Sequence, residues 1–141
     1  MRGRIEMYEY HGWATIRESS SFEDDDEKYS LIIQEIQKYF DELEWTSGIL
    51  DLRGAVNGDF QVWMAGVNNH RPVGKHNPVN VLKQVGILAP GSYGLLYVRD
   101  SDDEDFFNEF KVHTLIRGEV MERNDPFLSP FIPKIEDDYE D

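Results

Sequence analysis

The chain has 141 residues, no cysteine, and a formal charge of −14 from 28 acids against 14 bases. Without cysteine there are no disulfides and no thiolate metal sites, which suits a reducing cytoplasm. The charge sign disfavours nucleic acid and anionic membrane as partners and favours cationic ones. No apolar run approaches the ~20 residues that span a bilayer, and "MRGRIEMYEYHGW" lacks the apolar stretch of a secretory signal. The length suits a single domain over residues 1–141 with one hydrophobic core. Met7 is an equally good first residue, so residues 1–6 stand as an extension of open status.

"MYEYHGWATIRES" (7–19) is rich in β-formers and predicts a first strand, with Trp13 and Ile16 in the core. The period then changes. Tyr29, Ile32, Ile33, Ile36, Tyr39, Phe40 and Leu43 recur every three or four positions, the stripe of an amphipathic helix. Ser21 and Asp24 resemble a capping box at its start, and Gly48 is the expected stop. The acids of "EDDDE" (23–27) fall where the helix dipole favours negative charge.

Two apolar segments, "GILDLRGAV" and "DFQVWMAGV", meet at Asn57-Gly58 and predict a hairpin with a type I′ turn. A second helix follows, capped by Asn77, opened by Pro78 and ended by Gly86. "GSYGLLYVRD" and "NEFKVHTLIRGEV" read as the last two strands. The three prolines of "PFLSPFIPKIEDDYED" argue against a helix. Phe127, Leu128, Phe131 and Ile132 are expected to hold this tail extended against the body, with 136–141 a mobile acidic end.

The resulting expectation is an α+β fold: a five-stranded, mainly antiparallel sheet with two helices on one face, in the order β-α-β-β-α-β-β. That is a ferredoxin-like arrangement plus one strand.

Catalytic signatures are sparse. His11, His70, His76 and His113 form no i, i+4 pair and no HExxH, and there is no GxGxxG, P-loop or GxSxG. His11 reads as a strand residue. Asp100, Asp102 and Glu104 fit the first positions of a calcium loop, but Asp105 stands where glycine is needed and Lys111 where the bidentate acid is needed. Neither a metal, a cofactor nor a catalytic residue is expected. One alternative comes from "NHRPVGKHNP", where Arg71, Lys75 and His76 precede a helix whose free N–H groups could hold an anion. It implies a small-ligand or phosphate-handling enzyme.

The acids cluster. "EDDDE", "DSDDED" and "EDDYED" hold fifteen of the 28. The middle run, Asp100 to Asp105, lies at a turn between strands and is expected to need no acids for its geometry. Phe106 and Phe107 follow directly. Aromatic anchors beside a charged patch are the parts of an interface. Asp100, Asp102, Asp103, Glu104, Asp105, Phe106 and Phe107 are therefore the candidate binding residues, for a basic protein partner. Monomer and dimer remain open alternatives.

"MYEYHGWATIRES", "SYGLLYVRD", "NEFKVHTLIRGEV" and "DPFLSPFIPKIED", in this order, resemble the immunity protein seven family of bacterial polymorphic toxin systems. The likeness runs from about Met7 to Asp138. It implies a small cytoplasmic α+β protein, encoded beside a toxin, that binds the toxin's C-terminal domain and prevents self-intoxication without catalysis. The family offers no residue-level contacts to transfer. An acidic inhibitor would suit a toxin with a basic cleft, such as a nuclease.

Overall fold

In the computed structural model, which describes residues 6–21 and 25–138, six strands form one sheet. The chain runs β1 (Tyr8–Thr15), α1 (Asp26–Leu43), β2 (Ile49–Gly54), β3 (Phe60–Asn68), a 3₁₀ turn (Gly74–His76), α2 (Pro78–Leu88), β4 (Tyr93–Asp100), β5 (Lys111–Ile116), β6 (Glu119–Asn124) and α3 (Phe131–Lys134). The strand order is β2-β3-β1-β4-β5-β6, with every neighbouring pair antiparallel.

Alternation along the strands decides what is buried, because successive side chains point to opposite faces. Tyr8, Tyr10 and Ala14 of β1, Val62 and Met64 of β3, Leu96 and Val98 of β4, and Leu115 of β5 share one face. Ile36, Phe40 and Leu43 of α1 and Val81, Leu82 and Val85 of α2 join them in a single core. The stripe read from the sequence is the packed face of α1: Tyr29, Ile32, Ile33 and Tyr39 flank its three buried members. Each fully buried aliphatic side chain contributes about 1.5–3 kcal/mol.

The sheet has six strands rather than five. "KVHTLIRGEVMERN" folds back on itself at Arg117-Gly118, a two-residue turn in which both residues have positive φ (50° and 81°). That is the geometry expected at Asn57-Gly58. There the hairpin forms, but through a loop over 55–59 in which Gly58 alone is left-handed. Arginine carries a steric penalty at positive φ, so its dipeptide gave no turn signal.

Several boundaries also move. The cap of α1 is Asp25, whose carboxylate accepts the N–H groups of Glu27 and Lys28 at 3.1 and 3.2 Å. Ser21 is not the cap, and its expected partner Asp24 lies outside the described residues. Helix α1 stops at Leu43 through left-handed Glu44, ahead of Gly48. Helix α2 begins as expected, with Asn77 accepting from Val79 N–H at 2.9 Å, but runs past Gly86 to Leu88. Gly86 is instead a contact point, since a Cβ there would sit 2.8 Å from Leu115 Cδ1. The tail contains the short α3, and its Phe127 and Leu128 are exposed rather than packed.

Candidate functional site

The acidic loop leaves the end of β4 and is fastened by its own side chains. Buried Ser101 accepts the Met7 N–H at 2.7 Å and returns its own N–H to the Met7 carbonyl. Asp100 accepts the Asp102 N–H at 3.0 Å. Asp103 accepts those of Asp105 and Phe106 at 3.0 and 3.1 Å. Asp102 meets His70 Nδ1 at 2.9 Å, and Glu6 lies 3.5 Å from His70 Nε2. The hydrogen bond and charge of Asp102 raise the pKa of this exposed histidine. Three of the five acids thus have structural partners, contrary to the expectation that the turn needs none. An ionised carboxylate is the side chain that can accept several N–H groups at once. Glu104 and Asp105 face solvent, with no side-chain partner among the described residues.

Neither phenylalanine enters the core: Phe106 is 38% and Phe107 40% exposed. The Lys111 ammonium lies 3.4 Å from the centre of the Phe106 ring and donates to Asn124 at 2.7 Å. Six of the seven candidate residues thus lie on the loop after β4 and Asp100 ends the strand; all but the half-buried Asp100 and Asp103 are exposed.

The basic loop is not assembled in the same way. The His76 ring stacks on Trp45, with centroids 5.5 Å apart. Arg71 lines a hollow with Asp100, Asp102 and Asp103. At the start of α2, Asn77 takes the Val79 N–H through its side chain and the Asn80 and Val81 N–H groups through its carbonyl, and Pro78 has no N–H. The donors that an anion would use are already occupied.

A further surface has no counterpart among the sequence expectations. Helices cover one face of the sheet, and much of the other is bare. Register sets its side chains in rows: Ile49, Ala65, His11, Tyr97 and Val112 lie side by side, and next to them Asp51, Trp63, Trp13, Leu95, Thr114 and Met121. Trp13, expected in the core, is 40% exposed and meets Tyr93 edge to face at 6.1 Å. Trp63 is 53% exposed. Because Ala65 is small, the larger residues around it leave an open hollow of about 550 Å³, lined mainly by His11, Trp13, Trp63, Ile49 and Tyr97. The signal was present in "QVWMAGV", where both phases of the alternation are apolar. An antiparallel strand with one face in water should alternate apolar with polar.

The C-terminal segment covers one end of this face. Asp125, buried, accepts the N–H groups of Phe127 and Leu128 and the Ser129 hydroxyl, each at 2.9 Å, with Tyr97 Oη at 3.4 Å. Burial alone would raise its pKa, but these donors outweigh burial and hold it below the ordinary value. Ser129 Oγ in turn accepts the Phe110 N–H, and Asn108 makes paired hydrogen bonds with Ile132. Partly buried Phe131 lies over Arg99, whose guanidinium carbon is 3.9 Å from the ring centre.

Among the described residues no three His, Asp or Glu side chains are grouped to hold a metal ion, and no helix is long and apolar enough to cross a membrane. Fold and surface together define an α+β protein that presents an acidic loop on one side and an uncovered aromatic sheet face on another. The chain belongs to the immunity protein 7 family, whose model matches residues 7–137. Searches of curated proteins and of solved structures returned no match.

Proposed function

We propose that this chain is the immunity partner of a bacterial polymorphic toxin: a cytoplasmic protein that binds the toxin's C-terminal domain, blocks it, and makes or breaks no bond. Family membership over residues 7–137 supports the immunity role. The observation that supports a basic partner and its fast encounter is the acidic loop, which is held in shape by its own hydrogen bonds and keeps Glu104 and Asp105 facing solvent. With a net charge of −14, such a surface steers a basic partner into fast encounter. A toxin that grips nucleic acid would present a basic cleft of that kind. The competing reading, an enzyme built on Arg71, Lys75 and His76, is disfavoured by the occupied N–H groups at the start of α2.

The test is survival. Cells induced for the toxin domain encoded beside this chain's gene should grow when the chain is co-expressed and stop without it. Equal killing in both cultures would refute the immunity role.

A further inference from the structure

We infer that the bare sheet face centred on Trp13 and Trp63, rather than the acidic loop, anchors the toxin domain, which meets it with an uncharged apolar projection framed by basic residues. This rests on the function proposed above and assigns it a surface.

Binding energy concentrates in desolvated aromatic side chains at the centre of an interface. The face offers Trp13 and Trp63, both about half exposed, beside an open hollow of about 550 Å³ with room for a partner's side chain, and Tyr93 extends it by its edge contact with Trp13. The charges nearest that hollow are already paired within the protein. Glu9 meets Arg99 at 3.3 Å and His11 at 2.9 Å, and Asp51 meets Arg53 at 3.4 Å. A charged group buried at the centre would lose its hydration beside Glu9, Arg99 and Asp51, which already have partners, so the matching surface is uncharged there.

The edge beside the C-terminal segment has the opposite character. Phe131 covers Arg99 at the edge of the face, and the Glu136 N–H donates to the Phe131 carbonyl at 3.0 Å, which starts the acids Glu136, Asp137 and Asp138 from that edge. An apolar centre with a charged rim is the usual anatomy of an interface between proteins that also exist apart. The same acids argue against a second copy as the occupant. Pairing two such faces would bring together two chains of charge −14, each with this acidic edge.

Two variants test the assignment, Trp63→Glu and Ile49→Glu. Both side chains are more than half exposed, and Ile49 is on an edge strand. The probe is the purified toxin domain encoded beside this chain's gene, made inactive by substitution, and the readout is Kd by calorimetry. Each variant is expected to melt within a few degrees of wild type and to bind at least about thirtyfold more weakly. The tryptophan emission of the wild type should shift to the blue on complex formation, as Trp13 and Trp63 leave water.

If wild type binds tightly and both variants bind within threefold of it, the inference is overturned while the immunity role stands. Should Trp63→Glu fail to fold, Ile49→Glu decides alone. A wild type that sediments as a dimer, with the dimer lost in Ile49→Glu, assigns the face to a second copy and overturns the inference. Absence of any binding by wild type overturns both this inference and the function beneath it.

Discussion

Replacing Asp125 by alanine removes the knot that ties the C-terminal segment to the sheet. Its carboxylate accepts three hydrogen bonds at 2.9 Å and a longer one from Tyr97 at 3.4 Å. Hydrogen bonds to a charged group are worth about 1.5–3 kcal/mol each, but they share one acceptor and are not additive. The freed Phe127 and Leu128 N–H groups lie in a partly exposed turn, where water can recover some of the loss. A total cost of about 3 kcal/mol follows, or roughly 9 °C in Tm for a domain of this size. Denaturant unfolding followed by circular dichroism measures it.

The pH dependence gives a second check on the same residue. The folded-state pKa of Asp125 lies below its ordinary value. Its contribution is therefore complete above the unfolded carboxyl pKa of about 3.9 and is lost as pH falls through the folded value. The gap between wild type and Asp125→Ala should be constant from neutral pH down to about 4 and narrow below that. A gap under about 1 kcal/mol at neutral pH, or one that widens in acid, would refute the assignment of Asp125 as the anchor.

The combined variant Glu104→Gln, Asp105→Asn should leave the melting temperature unchanged, because neither side chain has a partner among the described residues. It should slow toxin association and flatten its salt dependence in stopped-flow measurements; an unchanged association rate would remove these two acids from steering. Gly94→Ala should cost about 3 kcal/mol, since its Cβ would fall within 2.0 Å of the Trp13 carbonyl oxygen across the β1–β4 pair; a variant as stable as wild type would contradict that close approach. Burial, the largest influence, together with Lys83 and Lys111, lowers the His113 pKa against the opposing effect of Glu122. The His113 contribution to stability should therefore fall as pH drops from about 6.5 through the folded value, and the difference between wild type and His113→Gln in denaturant titrations should show that slope.

How far the sequence carried the fold depended on whether a signal was local. The helical stripe of α1, the Asn77-Pro78 start of α2 and the hairpin near Gly58 each follow from neighbours in the chain, and all three are present. The sixth strand was missed because its turn places arginine in a left-handed conformation, a choice made by pairing across β5 and β6 rather than by local preference. The sequence places Trp13 in the core because an aromatic in a strand usually finds one. Only the register with Trp63 and Leu95 reveals that it points to the uncovered side. The acidic loop was legible as a cluster. Its long-range bonds were not, since those of Ser101 and Asp102 depend on where Met7 and His70 come to lie, whereas the bonds accepted by Asp100 and Asp103 are local.

The most direct measurement is a titration of the toxin domain's activity with purified chain. Stoichiometric blockade predicts a linear loss of activity that ends at one chain per toxin and returns when the complex is separated. Loss at far less than one equivalent would mean that the chain acts as a catalyst. Undiminished activity at several equivalents would mean that it does not inhibit at all, and either result would contradict the account.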